Sequence, residues 1–330
     1  MRMRAFGGGW ELSRRACRGG TRFCSSSAAS GTPEDRYTHG HSSGVINQHS
    51  ARTAENSARH LLPSLRDGLD VIDVGCGPGS ISVGLARAVA PRGTLVAVDV
   101  AEDVLPMARA AARDAGVTNA TFEVASVYDL PHPDDRFDVA HAHQVLQHLS
   151  NPVAALRELR RVVKPGGLIA IRDADYASML SHPVMGTSPS APSLHLPLGL
   201  TFLILILFSS SARIERWRAL YRAVARQNNV EPDAGRHLAS WAAEAGFEAG
   251  DCELNFSVRS YSASLDEEDR RRWGRDWAAR CLHSDFGKQA VEYGLATRAE
   301  MEEIASAWTE FSENSSAVMY YVNGELMLRA

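Results

Sequence analysis

Three short runs hold the residues whose types and spacing could do chemistry. The first is Val71-Ile-Asp-Val-Gly-Cys-Gly-Pro-Gly79. Glycines at 75, 77 and 79 let a backbone turn sharply and come close to a ligand. Dinucleotide-binding loops instead follow Gly-x-Gly-x-x-Gly and set a helix N-terminus against a pyrophosphate. Asp73 stands two residues ahead of the loop. A carboxylate there suits an ammonium group and suits a pyrophosphate poorly. The second run ends in Asp99, whose carboxylate is placed to accept hydrogen bonds from ribose hydroxyls. A ligand with an amino-acid end and a nucleoside end meets both demands. The third run, from His143 and Gln144 to His148, offers groups able to take a proton from an acceptor, as do His39 and His41. None is assigned as a catalytic base, because for any single histidine a structural or cofactor-lining role is the better-supported one.

Alternating strands and helices must position these runs. Residues 70–74 form a short apolar stretch of strand type, ended by glycines. Residues 80–90 are predicted helical, with Ile81, Gly84, Leu85, Ala88 and Val89 on one face. Residues 94–98 make a second strand and 102–115 a second helix, closed by Gly116. Third and fourth strands fall at 120–124 and 137–141. Asn151 caps a helix over 152–163, with Pro152 in its first turn, and 168–171 is a fifth strand. This alternation predicts an α/β fold with a doubly wound, mostly parallel sheet.

The last third reads as mostly helical. Residues 214–227 and 233–245 are amphipathic, and 252–258 has strand character. Thr297 and Glu300 form a capping box ahead of the apolar stripe Met301, Ile304, Ala305, Trp308 and Phe311. Residues 318–321 and 325–328, joined through Asn323-Gly324, read as a final antiparallel hairpin. Trp273 and Trp277 are four residues apart and share a helix face, either as core or as an aromatic wall for a substrate.

The first run resembles the opening motif of class I S-adenosylmethionine (SAM)-dependent methyltransferases, and Asp99 the acidic residue of the next motif. Leu130-Pro-His-Pro-Asp-Asp-Arg-Phe-Asp-Val139 is similar to a motif of the ubiquinone/menaquinone-biosynthesis-type (methyltransferase type 11-like) subgroup. Val145-Leu-Gln-His148 and Arg161-Val-Val-Lys-Pro-Gly-Gly167 match later motifs of that subgroup. Tyr37-Thr-His-Gly-His41 and Arg52-Thr-Ala-Glu-Asn-Ser57 resemble the opening of a related subgroup. The resemblance implies a Rossmann-like, seven-stranded sheet with SAM as cofactor. It implies that Gly75, Cys76, Gly77 and Gly79 line the methionine part, with Asp73 near its amino group. Asp99, with Val100 beside it, would hold the ribose, Ser126 and Val127 would flank the adenine, and His143 would line the cofactor. The family usually carries Asp at position 126. The Ser126 hydroxyl accepts more weakly than a carboxylate, so weaker SAM binding is expected.

Composition narrows the partners. The 330 residues are 45% hydrophobic and 22% charged, with a net charge of −4 and no basic stripe, which points away from nucleic acid and toward a small-molecule methyl acceptor. Five scattered cysteines, with no Cys-x-x-Cys pair, argue against a zinc site or a disulfide framework, so no metal is expected. Residues 1–33 are rich in Arg and Ser with a single acid, Glu11, and read either as a transit peptide or as a disordered extension. Cytoplasmic and mitochondrial locations both stay open. A helical lid is expected over 34–68, a SAM-binding core over 69–180, and a substrate region completed by the final strands over 212–330. Between them, 181–211 contains Leu200-Thr-Phe-Leu-Ile-Leu-Ile-Leu-Phe208 and reads as an apolar insertion foreign to the fold. That run is shorter than the roughly 20 apolar residues of a membrane span. The reading is a methyltransferase acting by in-line displacement on a quinone precursor, sterol or secondary metabolite. The alternatives are a catalytically impaired SAM-binding protein and, less well supported, a nicotinamide-dependent oxidoreductase.

Overall fold

The computed structural model describes Thr38, residues 48–182 and residues 210–330. The expectations for 1–33 and for His39 and His41 lie outside the described residues, as does all of the 181–211 insertion except its two ends. Seven strands among the described residues form one sheet: β1 (Asp70–Val74), β2 (Thr94–Asp99), β3 (Ala120–Val124), β4 (Phe137–His143), β5 (Val163–His182), β6 (Cys252–Ser262) and β7 (Val318–Arg329). Their order is β3-β2-β1-β4-β5-β7-β6. The first five run parallel, and β7 lies antiparallel between β5 and β6.

The parallel half follows from its sequence pattern. Central parallel strands are covered on both faces and so read as continuous apolar runs. In β1, Val71 joins one face's core, with Leu85, Leu95 and Leu105. Its neighbour Ile72 joins the other, with Phe137, Leu156, Leu159 and Leu238. The first face is covered by α1 (Ala54–Ser57), α2 (Ser80–Val89) and α3 (Leu105–Asp114), and the second by α4 (Pro152–Val162) and α6 (Leu238–Ala245). Each fully buried leucine contributes about 1.5–3 kcal/mol. The Asn151 side chain caps α4 by accepting from Ala154 N–H at 3.0 Å. The expected helix over 102–115 is α only from Leu105, after a 3-10 turn at Glu102–Val104.

The remaining helices, α5 (Ser210–Gln227), α7 (Ala263–His283), α8 (Asp285–Glu292) and α9 (Arg298–Glu313), bury an aromatic core of their own. Trp217 meets Trp277 at 4.3 Å and Trp308 at 4.9 Å between ring centroids, both edge to face. Thr297 caps α9, its hydroxyl accepting from Glu300 N–H at 3.1 Å, but the expected capping box is only half formed, because the Glu300 side chain accepts from Arg216 Nε at 2.7 Å. Trp277 is fully buried and belongs to this core.

The carboxyl end of the sheet is antiparallel as expected, but the hairpin expected from 318–321 and 325–328 is not formed, because both segments belong to the single strand β7. β7 runs straight through Asn323-Gly324, with Gly324 paired to Asp173 on one side and Phe256 on the other. The Asn-Gly pair is a local hairpin signal. Here the glycine serves a close backbone approach. A Cβ at Gly324 would lie 2.2 Å from the Gly235 carbonyl oxygen, in the 3-10 turn Ala234–Arg236. The same pairing explains why β5 extends well past the expected 168–171, since β7 supplies a partner as far as His182.

Two buried titratable groups beneath the sheet ends act in opposite senses. Burial lowers the His60 ring from 6.5 to about 3, with His141 and Arg172 adding to the effect. Neither His60 ring nitrogen has a hydrogen-bond partner among the described residues. Burial raises the Asp173 carboxyl from 3.8 to about 7. Below pH 6.5 the unfolded chain binds a proton on His60 that the folded state refuses, so this contribution is lost as pH falls. Asp173 keeps its proton in the folded state, so its contribution is lost as pH rises toward 7.

Two outcomes are expected in urea unfolding. Gly324→Ala loses about 1–3 kcal/mol or more, because backbone on both sides blocks the new methyl. Between about pH 7.5 and about pH 5.5, the wild type loses about 1.4 kcal/mol relative to His60→Gln. Parallel curves for the two proteins would exclude a buried neutral His60.

Candidate active site

The glycine loop begins over the end of β2. The N–H groups of Gly75 and Cys76 both donate to the Val98 carbonyl, at 2.8 and 3.0 Å. Gly75, Gly77 and Gly79 all have left-handed φ, at 68°, 51° and 78°. That conformation folds the loop back before α2 starts at Ser80. A Cβ at Gly77 would meet nothing nearer than His49 Nδ1 at 4.0 Å. The glycine therefore faces an open cradle. Cys76 is buried, and burial followed by Asp73 and Asp99 raises its thiol, which stays protonated and unreactive.

Asp73 is only 2% exposed. The Ser82 hydroxyl donates to its Oδ2, and His141 Nδ1 lies 2.7 Å from its Oδ1. The carboxylate thus joins β1, α2 and β4 beneath the loop. Asp99, at the end of β2, accepts from Gly77 N–H at 2.8 Å and from Ala101 N–H at 3.0 Å. A carboxylate has about four acceptor sites, so an orientation fixed this way is compatible with ribose hydroxyls donating to it. Val100 next to it is 74% exposed, an apolar face open to a ligand.

The structure brings the third-strand residues to the same edge. Ala125 N–H donates to the Asp99 carbonyl at 3.1 Å, which sets Ser126 beside Asp99. The Ser126 hydroxyl accepts from Tyr128 N–H at 3.2 Å. Val127 is buried and packs into the core of the second face. The expected adenine-flanking pair therefore divides, with one polar residue at the edge and one core residue below it.

His143 ends β4 and lines a cavity next to the loop. The neighbouring strand end is tied to the loop by Val145, whose Cγ2 would lie 2.5 Å from a Cβ at Gly75. His143 is held far below the ordinary imidazole range, first by burial and then by Arg52 and Arg172, so its ring is neutral. Gln144 follows with φ 55°, a left-handed conformation that costs a non-glycine residue about 1 kcal/mol or more. Its Oε1 accepts from Arg52 Nη2 at 2.5 Å. His148, also expected as a candidate base, lies beside Gln147 and is lowered to about 3 by burial, then Arg52 and Arg280.

Across the cavity stand Arg172 of β5, Arg259 and Tyr261 of β6, Tyr321 of β7, and Asp269, Arg272 and Trp273 of α7. Tyr261 and Trp273 stack at 4.1 Å between centroids. Trp273 therefore borders a cavity, unlike its neighbour Trp277. Arg172, Arg259 and Arg272 carry no motif in the sequence, and Arg52 opens one to which no role is attached. A signal existed for one of them, because Arg172-Asp173-Ala174-Asp175 places charges directly after an apolar strand. Among the described residues no helix is long and apolar enough to cross a membrane, and no cluster of metal-binding side chains occurs.

A family model described as a methyltransferase domain matches residues 65–222. Over 299 residues the chain is 30% identical to an uncharacterised methyltransferase of Schizosaccharomyces pombe, a match covering 89% of this chain and 96% of that protein. A ubiquinone/menaquinone biosynthesis C-methyltransferase of Shewanella frigidimarina is 34% identical over 116 residues, 34% of this chain and 46% of that protein. That match spans less than half of the relative's length. Among solved structures, a SAM-dependent methyltransferase from Aquifex aeolicus superposes with a TM-score of 0.42 at 19% identity, covering 66% of this chain and 90% of that one. The motifs, the strand order and the near full-length relative agree, and the chain belongs to the class I SAM-dependent methyltransferases.

Proposed function

We propose that this methyltransferase moves the methyl group of SAM onto a small molecule held in the cavity beside His143. The observation that carries this is the shared edge. The Gly77 cradle, the backbone-held Asp99 and the cavity all open at the carboxyl ends of neighbouring parallel strands, where ligands of doubly wound sheets bind. A nicotinamide-dependent oxidoreductase fits this edge poorly, because the loop lacks the pyrophosphate spacing.

The bound cofactor supplies an electrophilic methyl on a sulfonium, open to in-line displacement. The chain's own residues supply position. Gly77 gives room for the methionine part. Asp99 orients the ribose, Val100 covers one face of the base, and Ser126 offers a hydroxyl to the adenine amino group. Asp73 acts one step removed, since both its oxygens already hold Ser82 and His141 in place under the loop. His143 is neutral on the cavity wall, and the burial and arginine charges that keep it neutral make it a weak proton acceptor, so its ring orients an acceptor hydroxyl by hydrogen bonding. Gln144, its side chain held by Arg52, forms part of the cavity wall beside His143.

Asp99→Ala is expected to abolish SAM binding in calorimetry while circular dichroism stays native, and unchanged affinity would remove Asp99 from the site. With an acceptor found by mass spectrometry of extracts incubated with labelled SAM, His143→Ala is expected to lower kcat/KM by about tenfold through the lost hydrogen bond. SAM affinity should move little. A variant that loses SAM affinity and keeps kcat/KM would make His143 a cofactor-lining residue instead of an acceptor-orienting one.

A further inference from the structure

The cavity wall carries more positive charge than its own carboxylates offset. Four arginines line it: Arg52, Arg172, Arg259 and Arg272. Asp269 serves two of them, lying 2.7 Å from Arg259 and also pairing with Arg272. Glu325 lies 3.0 Å from Arg172 Nε. Arg52 has no carboxylate partner among the described residues and donates only to the neutral Gln144 amide. Four guanidinium groups thus have two carboxylates paired with them, and Arg172 and Arg52 also act on the buried Asp173 carboxyl, which burial pushes up to about 7.

Arg172 is the most telling of the four. Its side chain is 7% exposed, yet its terminal nitrogens make only long bonds, 3.4 Å to the Asn56 carbonyl and 3.3 Å to the Ser257 hydroxyl. Its Nε–H, although near Glu325, lacks hydrogen-bond geometry to any partner. A buried cation held so loosely costs stability unless a further acceptor meets it. Burial lowers Arg172, Tyr321 and Glu325 oppose that shift, and Arg259 and Arg52 add to it, while Arg52 and Arg172 add to burial in lowering His143. The other wall is aromatic, with the stacked Tyr261 and Trp273 and the Tyr321 ring 6.2 Å from Trp273.

Resting on the methyl-transfer reading, we infer that the acceptor is a small planar acid whose oxyanion, a carboxylate or a phosphate, is received by Arg52 and Arg172 while its ring or conjugated body lies along Tyr261, Trp273 and Tyr321. Guanidinium forks match both oxyanions in geometry. The aromatic wall matches a flat apolar body. A neutral acceptor would desolvate these arginines without giving them an acceptor in return, so the site selects against it.

The test is calorimetry on the full chain saturated with S-adenosylhomocysteine, using benzoate, phenyl phosphate and the neutral isostere benzamide as probes. At least one anion is expected to bind about tenfold or more tightly than benzamide. Arg52→Gln should weaken that anion by about tenfold and leave benzamide and S-adenosylhomocysteine unchanged, while Arg52→Lys restores part of the loss. A preference for benzoate assigns a carboxylate acid, and a preference for phenyl phosphate a phosphate. Equal binding of benzamide, no binding of any probe at millimolar concentration, or anion binding indifferent to Arg52→Gln would overturn the proposal. Loss of S-adenosylhomocysteine binding in the wild type would instead strike the methyl-transfer reading, and the probe titrations report on the anion site separately from it.

Discussion

The Asp73 carboxylate is the joint on which the site rests. It is buried between β1, α2 and β4, with the Ser82 hydroxyl on one oxygen and the His141 ring on the other. A buried carboxylate needs such partners, because an unpaired one would cost several kcal/mol. Satisfying it fixes where α2 leaves the loop and how β4 lies against β1. Everything above inherits that geometry: the left-handed glycines, the Gly77 N–H aimed at Asp99, and the β4 end where His143 and Gln144 begin the cavity. Asp73 therefore governs the cofactor edge without standing open to it.

The second determinant is the insertion of β7 between β5 and β6. Its passage past Gly235 requires glycine at 324, and it gives β5 a partner far beyond the parallel half of the sheet. β5 carries Arg172, level with His143 of β4, to the cavity, while β7 and β6 bring Tyr321, Arg259 and Tyr261. The aromatic core around Trp217, Trp277 and Trp308 then seats α7, which closes the wall with Trp273, Asp269 and Arg272. The parallel half thus builds the edge proposed for the cofactor, and the antiparallel half most of the wall proposed for the acceptor.

The parallel half was legible in the sequence because its signals are local. Strand runs, Asn151 before Pro152, and the Gly75, Gly77 and Gly79 spacing each act over a few neighbouring residues, and the structure has them where the pattern predicts. Asn323-Gly324 misled for the same reason. A short-range rule reads it as a turn, while the deciding contact is with Gly235, which no short-range rule can see. Asp73 and Val127 were likewise named from position alone, and burial gives one to the joint under the loop and the other to the core.

By itself, then, the sequence determined the fold class and the family, because contiguous residues encode a strand, a glycine turn and a following helix. Only the tertiary structure decided the cavity. Arg172 reaches the Asn56 carbonyl across 116 positions of chain, and Arg52 reaches Gln144 across 92. Such distances carry no periodicity and no local propensity. Charges that look like an ordinary solvated set in one dimension become a shared positive field when the sheet folds them around one space.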